Sequence, residues 1–348
     1  MYKLQEILDK NTWNNFIISS NFEFYSFLES WEWWEFQELA WKEIKRYWIY
    51  QKDNLIWIFL VIKVRAKRGN YYFVPHWPLI KWDFFKILWE ILDDLKVLAQ
   101  LDNMNFIRFN SAVQNTIENK NNFKKLWFIN APMHEHAEDT NILKLDKTEE
   151  ELFNNIKKKD RYYINRAIKE GVEIRIDNKI DHIEKLIEMH QNHAHRTNWK
   201  KTYSAFSVEF IKNLYKVFWE NISTISASYD WKIESILMTI KFWNTCVYYI
   251  AASDIKHPKF SPNYLCQWEA IKKAKKDWCL TYNFWWVSPD NNLKHPIAWV
   301  TKFKRKFWWS DYSLLHAQDL ILCQKYWFNW IIETARRINR WYYYKKPE

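Results

Sequence analysis

Three consecutive runs, Ile222 to Tyr229, Lys232 to Phe242 and Thr245 to Ser253, are dense in β-branched and aromatic residues. Only Asp230-Trp231 and Trp243-Asn244 separate them, which predicts three antiparallel strands closed by tight turns. Lys45 to Tyr50 and Leu55 to Val64 flank Asp53-Asn54 and read as another hairpin. Further strands are expected at Tyr71 to Val74 (ending at Pro75-His76-Trp77-Pro78), Phe106 to Phe109, Leu143 to Asp146, Val172 to Ile176 and Leu280 to Phe284.

Between these runs the apolar period lengthens to that of a helix. Phe84, Leu88, Ile91, Leu92 and Leu95 mark a helix from Phe84 to Ala99. Others are expected at His182 to His195, Ser207 to Phe218, Pro262 to Lys276 and Asn329 to Arg340, and a short one precedes the Ser19-Ser20-Asn21 loop. Thr148 and Glu151 have capping-box spacing, and Leu152, Ile156, Tyr163, Ile164, Ala167 and Ile168 then fall on one face as far as the stop at Gly171. Strands and helices are mixed, and a second set repeats the first in outline. The fold class expected is α/β (α+β mixed sheets) in two domains that divide near Leu145.

The chain has 348 residues, 48% apolar and 27% charged, which is globular composition. Its formal charge of +11 favours polyanionic partners: RNA, phosphorylated ligands or an anionic membrane face. Cys246, Cys266, Cys279 and Cys323 form no Cys-x-x-Cys pair, and neither a zinc site nor a disulfide framework is expected. No signal-peptide-like segment is read at the start, and the apolar run Leu55 to Val64 is too short to span a bilayer, so a cytoplasmic protein is expected.

One composition figure is abnormal. There are two glycines and 25 tryptophans, where ordinary usage predicts roughly 24 glycines. Trp231 and Trp243 occupy hairpin turns and Trp278 follows a basic helix end, positions where glycine is usual. The expectation is that many Trp codons are UGA, read as glycine in the source organism.

Between Asn291 and Ser310 there are five Lys or Arg and no acid, a loop suited to an anion. Arg161 or Arg166, on the basic helix, could face phosphate. His190, His193 and His195, with His134 and His136, complete no familiar ligand spacing, so no metal is expected. No Gly-x-Ser-x-Gly elbow, Walker loop or coenzyme A pyrophosphate loop appears, even with Trp read as Gly.

With Trp34 read as Gly, Phe27 to Gln37 resembles the opening block of the FemABX peptidyltransferases, which build peptidoglycan cross-bridges. Trp77-Pro78 resembles their Gly-Pro turn. Leu145-Asp146 through Gly171-Val172 is similar to a second block, with Arg161, Tyr162, Ile164, Ala167 and Gly171 matching. Tyr264-Leu265 with Gln267-Trp268-Glu269-Ala270-Ile271, then Tyr282-Asn283-Phe284-Trp285-Trp286, then Phe303-Lys304-Arg305 through Trp308-Trp309 match three more, in family order. The resemblance implies two GNAT-like acyltransferase domains, 1–145 plus 317–348 and 146–316, the tail returning to the first. It implies a monomer that moves an aminoacyl group from aminoacyl-tRNA to a stem-peptide amine of a muramyl-pentapeptide precursor. No cofactor is implied beyond the aminoacyl-tRNA co-substrate, and an inner membrane-face association fits a lipid-linked precursor.

The resemblance places Phe303 and Lys304 at the substrate site, with Arg305, Tyr264, Gln267, Trp268 and Arg161 in the matching blocks; for the ester aminolysis it implies, Lys304 is the candidate for stabilising a phosphate or an oxyanion, and Asp254, Glu269 and His295 are candidate proton acceptors. A family diphosphate-binding Lys falls near Gln37, and an Arg-x-x-x-Tyr pair falls near Phe206 and Phe210; neither is kept here. Two alternatives stay open: an N-acyltransferase with another activated donor, and a non-catalytic RNA-binding protein.

Overall fold

The computed structural model describes residues 2–6, 9–20, 26–40, 42–52, 54–76, 84–178, 181–196, 206–288, 295, 297–307 and 310–339. Described residues fall into two compact units. The first takes from Met1–Glu23, Leu28–Asp139 and Tyr312–Glu348, the second from Phe24–Phe27 and Thr140–Asp311. These limits lie a few residues before the expected 145 and 316, because the strand Asp139–Lys144 hydrogen-bonds into the second sheet.

The elements run β1 (Tyr2–Glu6), α1 (Lys10–Ser19), α2 (Trp31–Leu39), β2 (Glu43–Gln51), β3 (Asn54–Val64), β4 (Tyr71–Pro75), α3 (Phe84–Leu101), β5 (Phe106–Asn110), α4 (Ile117–Lys125) and β6 (Phe128–Asn130). Then follow β7 (Asp139–Lys144), α5 (Glu149–Asn155), α6 (Lys158–Lys169), β8 (Glu173–Asp177), α7 (Asp181–Arg196), α8 (Val208–Phe218), β9 (Ile222–Tyr229), β10 (Lys232–Phe242), β11 (Thr245–Ser253), α9 (Pro262–Lys276), β12 (Thr281–Trp286), α10 (Ala298–Lys304) and β13 (Ser310–Ser313). The chain ends its described part with β14 (Gln318–Ile321) and α11 (Tyr326–Asn339).

Each unit is built on one mixed sheet. The orders are β1-β2-β3-β4-β5-β14-β6 and, reversed, β8-β9-β10-β11-β12-β7-β13. In both, four antiparallel strands lead to one parallel pair, β4 with β5 or β11 with β12. In both, the next strand comes from elsewhere in the chain: β14 antiparallel to β5, β7 antiparallel to β12. The fold is therefore a duplication.

The two copies differ at the parallel pair. β4 and β5 stay paired from Tyr71↔Phe106 to Pro75↔Asn110. β11 and β12 pair only through Thr245↔Thr281, Cys246↔Tyr282 and Val247↔Asn283. Beyond that point β11 carries a bulge, since Thr239 faces Tyr248 and Met238 faces Ile250, which leaves Tyr249 unpaired against β10. β12 has its own irregularity between Asn283 and Trp286. Bulges bend and twist strands, so the second sheet opens where the first stays closed.

In the first unit β14 is fixed by a buried ion cluster. Arg108 Nε and Nη2 donate to Asp319 at 2.7 and 2.8 Å, Nη2 donates to Glu333 at 2.7 Å, and Tyr326 OH donates to Asp319 at 3.0 Å. Charges so deeply buried persist only when fully partnered, and this set ties β5, β14 and α11 together.

The helix expected to run unbroken from Thr148 to Gly171 is two helices. Thr148 and Glu151 do form the reciprocal capping box. Ile156 then turns extended (ψ 137°) and points into the core, α6 restarts at Lys158, and Ile168 is exposed rather than on the buried face. Residues 302–304, read as part of a cationic loop, are helical in α10. Trp77 and Pro78 lie outside the described residues.

Ten described non-glycine residues have positive φ, and five are tryptophan: Trp127 (66°), Trp231 (61°), Trp243 (51°), Trp278 (62°) and Trp285 (58°). A bulky L-residue is a steric outlier there, and glycine is not. Trp231 and Trp278 are also 90% and 89% exposed, so no packing offsets the strain. Trp34 is fully buried with no acceptor for its indole N–H among the described residues, whereas Trp13 donates to Glu29 O at 2.8 Å. Trp13 fits its site as tryptophan; the left-handed five do not.

Candidate active site

Where β11 leaves β12, a cavity of about 1170 Å³ opens in the second unit. Its walls are the outer half of β11, the start of α9, the first turns of α6 and most of α10. Ligands in open α/β sheets bind at the carboxyl ends of parallel strands, which is where this cavity lies. α9 begins at Ser261-Pro262, with Ser261 left-handed (φ 49°) and making no side-chain cap. The positive end of a four-turn helix thus borders the cavity.

The lining is strongly cationic. Lys157, Lys159, Lys302, Arg305 and Lys306 contribute to it, against the single carboxylate of Asp160. Lys306 Nζ donates to Tyr264 OH, stands 4.7 Å from that ring's centroid and lies 3.6 Å from Asp160. Arg305 reaches Asp311 at 3.5 Å.

Lys304 sits beneath this lining. Its Nζ donates to Trp286 O at 2.8 Å, at the end of β12, and lies 4.9 Å from the ring centroid of Tyr248, a cavity residue. Burial pushes its ammonium down to about 7. A lysine in that state gains and loses a proton readily near neutral pH. Cys266, also at the wall, is pushed up to about 12 by burial and donates to Ile225 O, so it is no thiolate nucleophile.

Of the residues singled out from sequence, Tyr264, Gln267, Phe303 and Arg305 line the cavity, and Gln267 Nε2 donates to Tyr282 OH at 2.7 Å. Trp268 packs in the core against Phe153. Asp254 pairs with Lys256 at 3.3 Å and Glu269 with Lys272 at 2.6 Å. His295 accepts from the Ile297 N–H through Nδ1, and Arg161 holds Asn154 at 2.6 Å. None of these five belongs to the cavity lining. Phe206 and Phe210 stack on each other at 4.8 Å as an apolar pair. Gln37 is buried on α2 of the first unit. The side chains of His193 and His195 lie outside the described residues. Sequence reading missed Tyr248, Asp160 and Lys306 as site residues. Lys306 carried a trace in the basic run; Tyr248 carried none.

Residues 153–294, the heart of this unit, match the family model described as an acetyltransferase (GNAT) domain. Among solved structures the chain is similar to FemX, with a TM-score of 0.80 at 14% identity over 95% of this chain and 100% of that one. This is the FemX fold. The FemX fold is also shared, more distantly, with a tandem GNAT protein from the clavulanic acid biosynthesis pathway, at a TM-score of 0.58 and 7% identity over 93% and 99% of the two chains. The C-terminal domain of a putative lysylphosphatidylglycerol synthetase from Agrobacterium fabrum gives 0.51 and 9% over 87% and 91%. No curated protein matches by sequence. A FemX fold with GNAT-like sheets is an acyltransferase architecture, and here only the second sheet is splayed open at its parallel pair. Among the described residues no helix is long and apolar enough to cross a membrane.

Proposed function

We propose that the second unit accepts the aminoacyl group of an aminoacyl-tRNA and passes it to an amine on the stem peptide of a peptidoglycan precursor. The observation that carries this reading is the cation-lined cavity at the splayed strands of a FemX fold. The acceptor amine attacks the ester carbonyl, negative charge develops on that oxygen, and the ribose hydroxyl leaves. The ester is already activated, so holding the two partners together accounts for much of the acceleration. Lys157, Lys159, Lys302, Arg305, Lys306 and the α9 N-terminus hold donor phosphates. Neutral Lys304 takes the proton that the attacking amine sheds and returns it to the departing ribose oxygen, a role for which Asp254 and Glu269, each tied to a lysine, are less suited.

Single-turnover transfer tests this directly. Charged tRNAs with a pentapeptide precursor should yield an amide-linked product, and acetyl-coenzyme A should yield none. Acetyl transfer in place of aminoacyl transfer would establish the other N-acyltransferase reading, and tight tRNA binding with no transfer would establish the RNA-binding one. Binding of the tRNA should also fall steeply with salt. Five cations each neutralising a phosphate give a log–log slope of about −3.5 to −4.5. A flat response between low and physiological salt would remove the cationic lining as the donor site.

A further inference from the structure

We propose that His134, Glu138 and His316, in the first unit, form a zinc site. Their ligand atoms all lie within 4.8 Å of one another. His134 Nδ1 and His316 Nδ1 stand 3.2 and 2.9 Å from the same Glu138 oxygen, Oε2. Ligand atoms around a four-coordinate zinc are separated by about 3.3 Å, so the three donors need to move little to share an ion. Two imidazoles and one carboxylate are a donor set that zinc accepts, leaving a fourth position for water.

The surrounding contacts are those that orient metal ligands. His316 Nε2 bonds Ala131 O at 2.8 Å, which turns Nδ1 toward Glu138. Ala317 N donates to Glu138 Oε1 at 2.9 Å, which aims Oε2 at the two rings. Asn110 Oδ1 accepts from the backbone N–H groups of Glu135 and His136 at 3.0 and 2.8 Å, fixing the loop that carries two of the ligands. His134 and Glu138 are almost fully buried, and His316 retains the partial exposure that would admit an ion. The three residues also join segments 178 positions apart, just before β14 enters the sheet. Zinc there would staple the returning tail to the 131–138 loop.

The test uses tag-free, full-length protein, so that no engineered histidines compete. Zinc is titrated against a chromophoric chelator, and cobalt is substituted for its visible spectrum. One equivalent of zinc should bind at micromolar concentration, cobalt should give four-coordinate bands, and the melting temperature should rise with zinc and fall with chelator. Glu138→Gln and His316→Gln should each weaken binding by 10- to 100-fold. Failure of the wild-type protein to bind zinc or show those bands would overturn the site, leaving a buried carboxylate–imidazole pair. One equivalent bound unchanged in both variants would place the ion elsewhere and overturn it equally. Transfer activity enters neither result, so the site stands or falls apart from the proposed reaction.

Discussion

Replacing Lys304 by methionine should lower the single-turnover transfer rate by roughly 100-fold while leaving the protein at least as stable at pH 7. The two effects have one cause. The Lys304 ammonium is buried and held at about 7, far below the lysine value of 10.5. Below pH 7 the group is protonated in both folded and unfolded chains, and the cost of burying the charge is fully present. Between about 7 and 10.5 the unfolded chain carries a proton that the folded one has shed, so stability rises with pH across that window. Methionine keeps the volume and removes this rise. In the wild type, transfer should increase as pH passes through about 7, where Lys304 becomes neutral, and the variant should lack that step. Lys302→Ala is the control. Lys302 is exposed on the cavity lining two residues earlier on α10, roughly 200° around the helix, so its loss should weaken tRNA binding while costing the rate at saturating tRNA less than about twofold. Equal small losses in both variants would mean a diffuse basic surface and would sink the assignment. A wild-type rate that falls through pH 7 would show that the charged form is the useful one.

Changing Trp127, Trp231, Trp243 and Trp278 together to glycine should stabilise the protein by about 4 kcal/mol, ~1 kcal/mol for each left-handed residue relieved of its Cβ clash. All four sit at turns or helix ends, and all are at least half exposed or close to it, so little packing is lost. Denaturant midpoints at constant slope measure the gain. Trp285 is left out because it is buried in the irregular part of β12, where removing an indole would also leave a void. Midpoints that stay level or fall in all four single variants would remove the physical support for reading these positions as glycine. The gene gives an independent answer: UGA at these codons agrees with that reading, and UGG contradicts it.

The sequence by itself determined what depends on neighbours along the chain. The hairpins around Asp230-Trp231 and Trp243-Asn244 were legible because turn chemistry and strand period act within a few residues. So were the box at Thr148 and Glu151, the helix from Pro262 to Lys276 and the left-handed demand at Trp231, Trp243 and Trp278. Phe303, Arg305, Tyr264 and Gln267 were found through block order, and they do meet at one cavity. The short strand β1 escaped notice because it is fixed by pairing with β2, far along the chain. Ile156 shows how periodicity misleads: a buried residue in extended conformation keeps the helical rhythm while breaking the helix. Tertiary structure alone decided that β11 and β12 part after three pairs in one sheet while β4 and β5 stay joined in the other, since strand separation is a property of the whole sheet. It alone put Lys304 under Tyr248 and lowered its affinity for a proton, because burial is set by elements that lie far apart in sequence. It also brought His316 to His134 and Glu138, for no local spacing records a ligand that arrives when the tail folds back to the first sheet.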